Sequence, residues 1–183
     1  MITIQGPSLP EILGNLFTEK EVKAASYRAI NRSLIAGRKA AGEEVARDYN
    51  VTGGKVSKIG RITKANSGNI SGKINWKGPA IELKTWGTNP GMRKKKKNPR
   101  VWGKVSKSTM AMYSGAFLGR ASGKTRAFIR TSKKRFPIVP VYGPSLPQLV
   151  GAERVRKRFV DRSNEMLKSR LEHEFNYILS QRG

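Results

Sequence analysis

From Val22 onward, small and apolar residues recur mostly every third or fourth position: Val22, Ala25, Ala29, Ser33, Leu34, Gly37, Ala41, Val45 and Tyr49. That period places them on one narrow stripe of a helix, and the small size of the residues predicts a neighbour packed very close to it. Ahead of the stripe, Thr18-Glu19-Lys20-Glu21 has the form of a capping box, in which a Thr hydroxyl takes the third backbone N–H and a Glu reaches back. A helix is therefore predicted over 18–50. It stops near Asn50, and a Thr52-Gly53-Gly54 turn leads into a short segment around Lys55 to Ile59.

From Arg61 to Pro140 the period changes. Ile62, Ile70, Ile74, Trp76, Ile81, Leu83 and Trp86 alternate with polar residues between Gly, Asn and Pro punctuation, which predicts antiparallel strands. Val101 to Val105, Phe117 to Arg120 and Ala127 to Thr131 read as further strands, and Met110 to Ser114 as a helical turn. A second long apolar stripe runs through Leu149, Val155, Phe159, Met166, Leu167, Leu171, Phe175, Ile178 and Leu179, opposite a charged face. The fold class is α+β: an antiparallel sheet flanked by a long N-terminal helix and a long C-terminal helix. Residues 1–17 form an arm with a short helical turn. Residues 18–183 form one domain, with the helix 18–50, strands within 59–141, a basic loop at 89–100 and the C-terminal helix 145–181.

One string occurs twice. Gly6 to Gly14 reads GPSLPEILG and Gly143 to Gly151 reads GPSLPQLVG. In each copy Gly-Pro makes a turn, Ser8 or Ser145 is a good N-cap, and Glu11 or Gln148 three residues on completes a capping box. A Pro at the second helical position removes an N–H that would otherwise need a partner. The echo is a helix-start device that arose twice, a duplication, or the mark of a shared docking role.

Charge then divides the chain. The net charge is +25, from 37 basic and 12 acidic residues. Residues 1–48 carry 7 basic and 6 acidic residues, and residues 153–183 carry 8 and 5, so the two helical ends are nearly balanced. Residues 49–152 hold 22 basic residues and a single acid, Glu82. Such an excess calls for a polyanionic partner or a strongly acidic protein neighbour. Its densest part is Arg93, Lys94, Lys95, Lys96, Lys97, Arg100, Lys104 and Lys107, eight cations and no acid within fifteen residues. That segment can neutralise several phosphates; a solubilising or localisation loop is the plainer reading. Trp76, Trp86 and Trp102, each with a lysine nearby in sequence, offer either a stacking platform for single strands or ordinary core filling.

Catalytic and ligand-binding chemistry finds little support. Gly119 to Thr125, GRASGKT, resembles a phosphate-binding loop, but it has three residues between its glycines where that loop needs four, and it sits among strands. His173 is the only histidine, between Glu172 and Glu174 on a helix whose neighbouring side chains diverge, and there is no cysteine. No triad, carboxylate pair or metal cluster arises by any obvious spacing. The expectation is a non-enzyme without cofactor or metal. With no basic leader and no run of eighteen apolar residues, the chain reads as soluble, without export signal or membrane span.

The stretch Ser114 to Val150, SGAFLGRASGKTRAFIRTSKKRFPIVPVYGPSLPQLV, resembles the minor tail protein Z family of tailed bacteriophages, the tail completion proteins. The pieces that carry the likeness are Ala116-Phe117, Arg135-Phe136-Pro137-Ile138 and Tyr142-Gly143-Pro144-Ser145. Ala29-Ile30-Asn31-Arg32, Tyr49-Asn50-Val51 and Ile81-Glu82-Leu83 are similar to the family's N-terminal half. The first Gly-Pro-Ser-Leu-Pro copy and the richness of the Lys94 to Lys97 run are not part of that pattern.

The resemblance implies a non-enzymatic virion protein that completes the head-proximal end of the tail and joins it to the head connector. It implies a ring, with a hexamer the first expectation, made by heterologous contacts. Implied partners are the tail terminator or tail tube protein, the head-tail connector proteins and the double-stranded genome end, with no membrane, and with the host cytoplasm as the place of assembly. Under that reading Tyr142, Gly143, Pro144, Ser145, Leu146 and Pro147, with Pro7, Ser8, Leu9 and Pro10, make subunit or neck contacts. The Arg93 to Lys107 cations meet DNA or an acidic partner. Two rivals stay open: a generic nucleic-acid-binding or ribosome-associated protein, and an assembly factor absent from the finished particle.

Overall fold

A computed structural model describes residues 2–5, 16–90, 101–121 and 123–182. The first long helix, α1 (Glu19–Asp48), begins where the capping box places it: the Thr18 hydroxyl accepts the Glu21 N–H at 3.4 Å, and the Glu21 carboxylate accepts the Thr18 N–H at 2.8 Å. The last helix, α4 (Glu153–Ser180), runs antiparallel to it. Ion pairs mark both ends and the middle of the seam: Arg182 with Glu21, Arg28 with Glu174 at 3.2 Å, and Arg154 with Glu44 at 2.8 Å and with Asp48.

The small-residue stripe explains how the helices meet. Ala25, Ala29, Ser33, Gly37 and Ala41 are buried on α1, and Gly37 lies where an added Cβ would come within 2.0 Å of Ser163 Oγ and 2.8 Å of Phe159 Cε2. Only a residue without a side chain allows that approach, so the stripe is a packing device.

Helix α2 (Gly53–Ile59) leads into β2 (Gly60–Thr63). This strand pairs with the central β3 (Ser71–Trp76), and β1 (Ile2–Gln5) pairs with the other edge of β3. The sheet lies on α1 through Gly72, whose backbone comes against Leu34 and Ile30. Asn31 fixes the β2–β3 connection: its side-chain amide donates to the Ala65 carbonyl at 2.9 Å and accepts the Ala65 N–H at 2.8 Å. The main core joins these parts to the far end of the chain, with Ile30, Leu34, Val45, Val56, Ile74, Trp86, Leu146, Leu149, Val155 and Phe159 in one cluster.

The expected single sheet is instead a set of small antiparallel sheets. The strand β4 (Ala80–Glu82) runs into a 3-10 turn, Leu83–Trp86, followed by β5 (Thr88–Pro90), β6 (Val101–Gly103) and β7 (Ala111–Tyr113), and these last three pair in the order β5-β6-β7. A hairpin of β8 (Ala116–Ala121) and β9 (Lys124–Arg130) pairs onward with β10 (Ile138–Pro140), and β11 (Tyr142–Ser145) pairs with β4. Val141 joins the two groups, donating its N–H to the Ala127 carbonyl at 2.9 Å and accepting the Leu83 N–H at 3.0 Å. A second, smaller core of Leu83, Val101, Ala116 and Ala127 lies beneath them.

Three local expectations change. Leu83 and Trp86 lie on a 3-10 turn rather than a strand, ended by Gly87 at φ 82°, and both side chains still reach the interior. Met110 to Ser114 is not a helical turn: Ala111–Tyr113 pairs with β6, because Trp102 faces Met112 and Val101 faces Tyr113 across the ladder. The C-terminal helix is broken into α3 (Leu146–Val150) and α4, with Ala152 extended at ψ 136° so that both Val150 and Val155 can be buried. The arm contributes the strand β1; its expected helical turn lies outside the described residues.

Candidate functional site

The second Gly-Pro-Ser-Leu-Pro copy is a junction between strand and helix. The Ser145 hydroxyl accepts the Gln148 N–H at 3.4 Å, and the Gln148 side chain accepts the Ser145 N–H at 2.8 Å, closing the expected capping box with Pro147 inside the first turn. Gly143 passes so close to Trp86 that an added Cβ would lie 2.6 Å from its Nε1. Leu146 is buried in the main core, Pro144 and Pro147 are half-buried, and Tyr142 is exposed. The motif therefore anchors α3 to the body and leaves the Tyr142 ring as its free surface. Pro7, Ser8, Leu9 and Pro10 lie outside the described residues.

Of the dense basic segment, Arg93, Lys94, Lys95, Lys96, Lys97 and Arg100 also lie outside the described residues, in the connection between β5 and β6. Lys104 and Lys107 are exposed, and their backbones are fixed at separate places: the Lys104 N–H donates to the Gly87 carbonyl at 3.0 Å, and the Lys107 N–H donates to the Asp48 carbonyl at 2.7 Å. The C-terminal side of the segment is thus tied to the end of α1.

The three tryptophans do not share a platform. Trp86 is fully buried, Trp76 packs edge-on to Phe159 at 5.7 Å and against Gly60, and Trp102 alone is exposed, beside Met112 on the outer side of β6 and β7. Within the GRASGKT run, Arg120 pairs with Thr125 and Ala121 with Lys124 at the end of the β8–β9 hairpin, and Gly123 stands at φ 72°. His173 is exposed on α4. Among the described residues, no group of three or more His, Cys, Asp or Glu side chains converges on a common point. No described helix is long and apolar enough to cross a membrane.

Two charged features escaped the sequence. An open groove of about 380 Å³ between the end of α1 and the start of α4 is lined by Glu44, Arg47, Arg154, Lys157, Arg158 and Asp161. Its signs are mixed, and Arg154 is held between Glu44 and Asp48, so it reads as an ion-pair network closing one end of the helix pair. At the other end the Thr18 hydroxyl and N–H, together with Arg182, hold the Glu21 carboxyl at about 2, far below its ordinary 4.5. The groove and the Arg182 contact were not visible in the sequence, because each joins residues more than a hundred positions apart, whereas the Thr18 contribution, the larger one, is the predicted capping box.

These features define a basic α+β protein with exposed charged surfaces. A family model of prophage minor tail protein Z (GPZ) matches residues 13–182, and the chain belongs to that family. Its role is accordingly that of a structural component of a phage tail. No curated protein and no solved structure gives a significant match.

Proposed function

We propose that this protein is a non-enzymatic virion component that completes the head-proximal end of the tail as a homo-oligomeric ring and joins it to the head connector, with its cationic strand region turned toward the genome end or an acidic neighbour. The observation that supports this most is the separation of charge: the antiparallel helix pair is bound together by its own ion pairs, while residues 49–152 hold 22 cations against Glu82 alone. Glu82 itself is engaged by Arg126 at 3.3 Å. A tail component needs a rigid body and a surface whose charge is balanced by something else, and the two regions divide those tasks.

In this reading Tyr142 makes the subunit or neck contact of its motif, while Gly143, Ser145 and Leu146 support it from within. Six copies is the proposed number, by the symmetry of tail tubes. Mass spectrometry of purified particles tests the central claim: the protein is expected in virions, and its absence would make it an assembly factor. Negative-stain images of the purified protein are expected to show rings; a monomer with tight nucleic-acid binding would favour the generic basic-protein reading instead. Replacing Lys94 to Lys97 with Ser should lower the salt dependence of duplex binding by up to about 3 to 4 in logarithmic slope, and an unchanged slope removes DNA contact from that segment.

A further inference from the structure

The connection between β9 and β10, Thr131 to Pro137, reads TSKKRFP. The Arg130–Ile138 pair closes it at its base, the Thr131 N–H and hydroxyl donate to the Pro137 carbonyl at 3.4 and 3.3 Å, and the Lys134 N–H donates to the Ser132 hydroxyl at 3.3 Å. It is a held tip, not a loose tether. Lys133, Lys134, Arg135 and Phe136 are all exposed on it, Phe136 at 61%. None of the three cations has an acidic partner among the described residues.

The adjoining cations behave differently. Arg126 pairs with Glu82, and the Arg130 guanidinium lies 4.4 Å from the centroid of the Phe117 ring. Arg126 and Arg130 are thus engaged by side chains of the body, whereas among the described residues Lys133 and Lys134 at the tip, like Arg120 and Lys124 at the opposite end of the hairpin, have no such partner, and Arg135 meets only the ring of its neighbour Phe136. The tip also keeps an aromatic ring in water beside Arg135, whose guanidinium carbon stands 5.7 Å from the ring centroid. Three adjacent like charges repel, and an exposed Phe face loses the burial it would gain elsewhere.

One kind of ligand relieves both costs: a polyanion that also presents flat apolar faces. We propose that the Lys133–Phe136 tip is a contact for single-stranded nucleic acid, with Phe136 stacking on a base and Lys133, Lys134 and Arg135 meeting the flanking phosphates. A duplex would match the charges but keeps its base faces stacked inside. An acidic protein surface would match them without using a planar ring. The inference rests on the genome contact proposed above and gives it different residues and a different form of the strand.

Fluorescence anisotropy on the purified full chain tests it, with labelled oligothymidine and a duplex of equal length as probes. Phe136→Ala is expected to weaken single-strand binding about 5- to 100-fold with little change on the duplex, and Phe136→Trp to restore it. Changing Lys133, Lys134 and Arg135 together to Ser should reduce the logarithmic salt slope on the single strand by about 2. Unchanged binding by Phe136→Ala, or equal losses on both probes, overturns the stacking role. Unchanged nucleic-acid binding by the triple variant, with loss of incorporation into particles, overturns the proposal in favour of an acidic protein partner. Absence of the protein from virions would overturn the tail-completion reading alone, since these measurements use purified protein and separate probes.

Discussion

The helix pair and the strand region solve opposite problems with the same backbone. Along α1 the side chains are small where α4 packs with Phe159 and Ser163, and ion pairs of Glu21, Arg28 and Glu44 with α4 and the chain's end bind the two helices, the Ser163 hydroxyl being left without a hydrogen-bond partner among the described residues. Between them the strands are short, the second core is small, and among the described residues Arg126 alone of the region's cations has an acidic partner. Stability is concentrated in one region and unmet charge in the other. The difference teaches that a net charge of +25 is compatible with an ordinary fold when the excess is kept away from the main packing seam.

The seam is where substitution should do most damage. Phe159→Ala empties a fully buried site between α1, α4 and Trp76 and is expected to cost about 3–5 kcal/mol; Gly37→Ala, forced against Ser163 and Phe159, should cost about 1–3 kcal/mol or more. Urea midpoints read both, and a neutral Gly37→Ala would mean that the helices are not packed this closely. Asn31→Ala leaves the Ala65 N–H and carbonyl without their partner and is expected to cost about 1–3 kcal/mol. Ser145→Ala removes the α3 cap, and the same denaturation should show a loss of about 1 kcal/mol.

The smallest effect is the one that depends on pH. Because the folded-state pKa of Glu21 is depressed, its stabilisation is complete above the ordinary value of 4.5 and is lost as pH falls toward about 2. Glu21→Gln keeps a capping side chain but loses the charge facing Arg182, so its melting temperature should fall below that of the parent at neutral pH. The gap should close between pH 4.5 and about 2. A gap that persists at the acid limit would assign the effect to lost packing instead.

Much of this was legible in the sequence because it is local. Thr18-x-x-Glu21 and Ser145-x-x-Gln148 cap helices using residues three positions apart, and the small stripe of α1 has a period that needs no tertiary knowledge. Trp86 illustrates where reading fails: alternation suggested a strand, but Gly87 at positive φ closes a 3-10 turn that keeps the same residues buried. Met110 to Ser114 failed for a related reason, since only the facing strand makes Ala111–Tyr113 extended. The basic candidates were read from density along the chain, which drew attention to Lys94–Lys97 and away from Lys133 to Phe136. The latter is marked by an exposed aromatic ring beside cations on a hydrogen-bonded tip, a property of the folded surface.

Val141 belongs to two ladders at once, and this makes residues 138–145 a single strut, up to about 26 Å long at the rise of a strand. One end carries the Thr131–Pro137 tip and the other the Ser145 cap that starts the C-terminal helices. A pull at the tip along the strut would load the hydrogen bonds to β9 and β4 in shear. The strut's far end runs without a break into α3, so such a load would reach the root of the C-terminal helices.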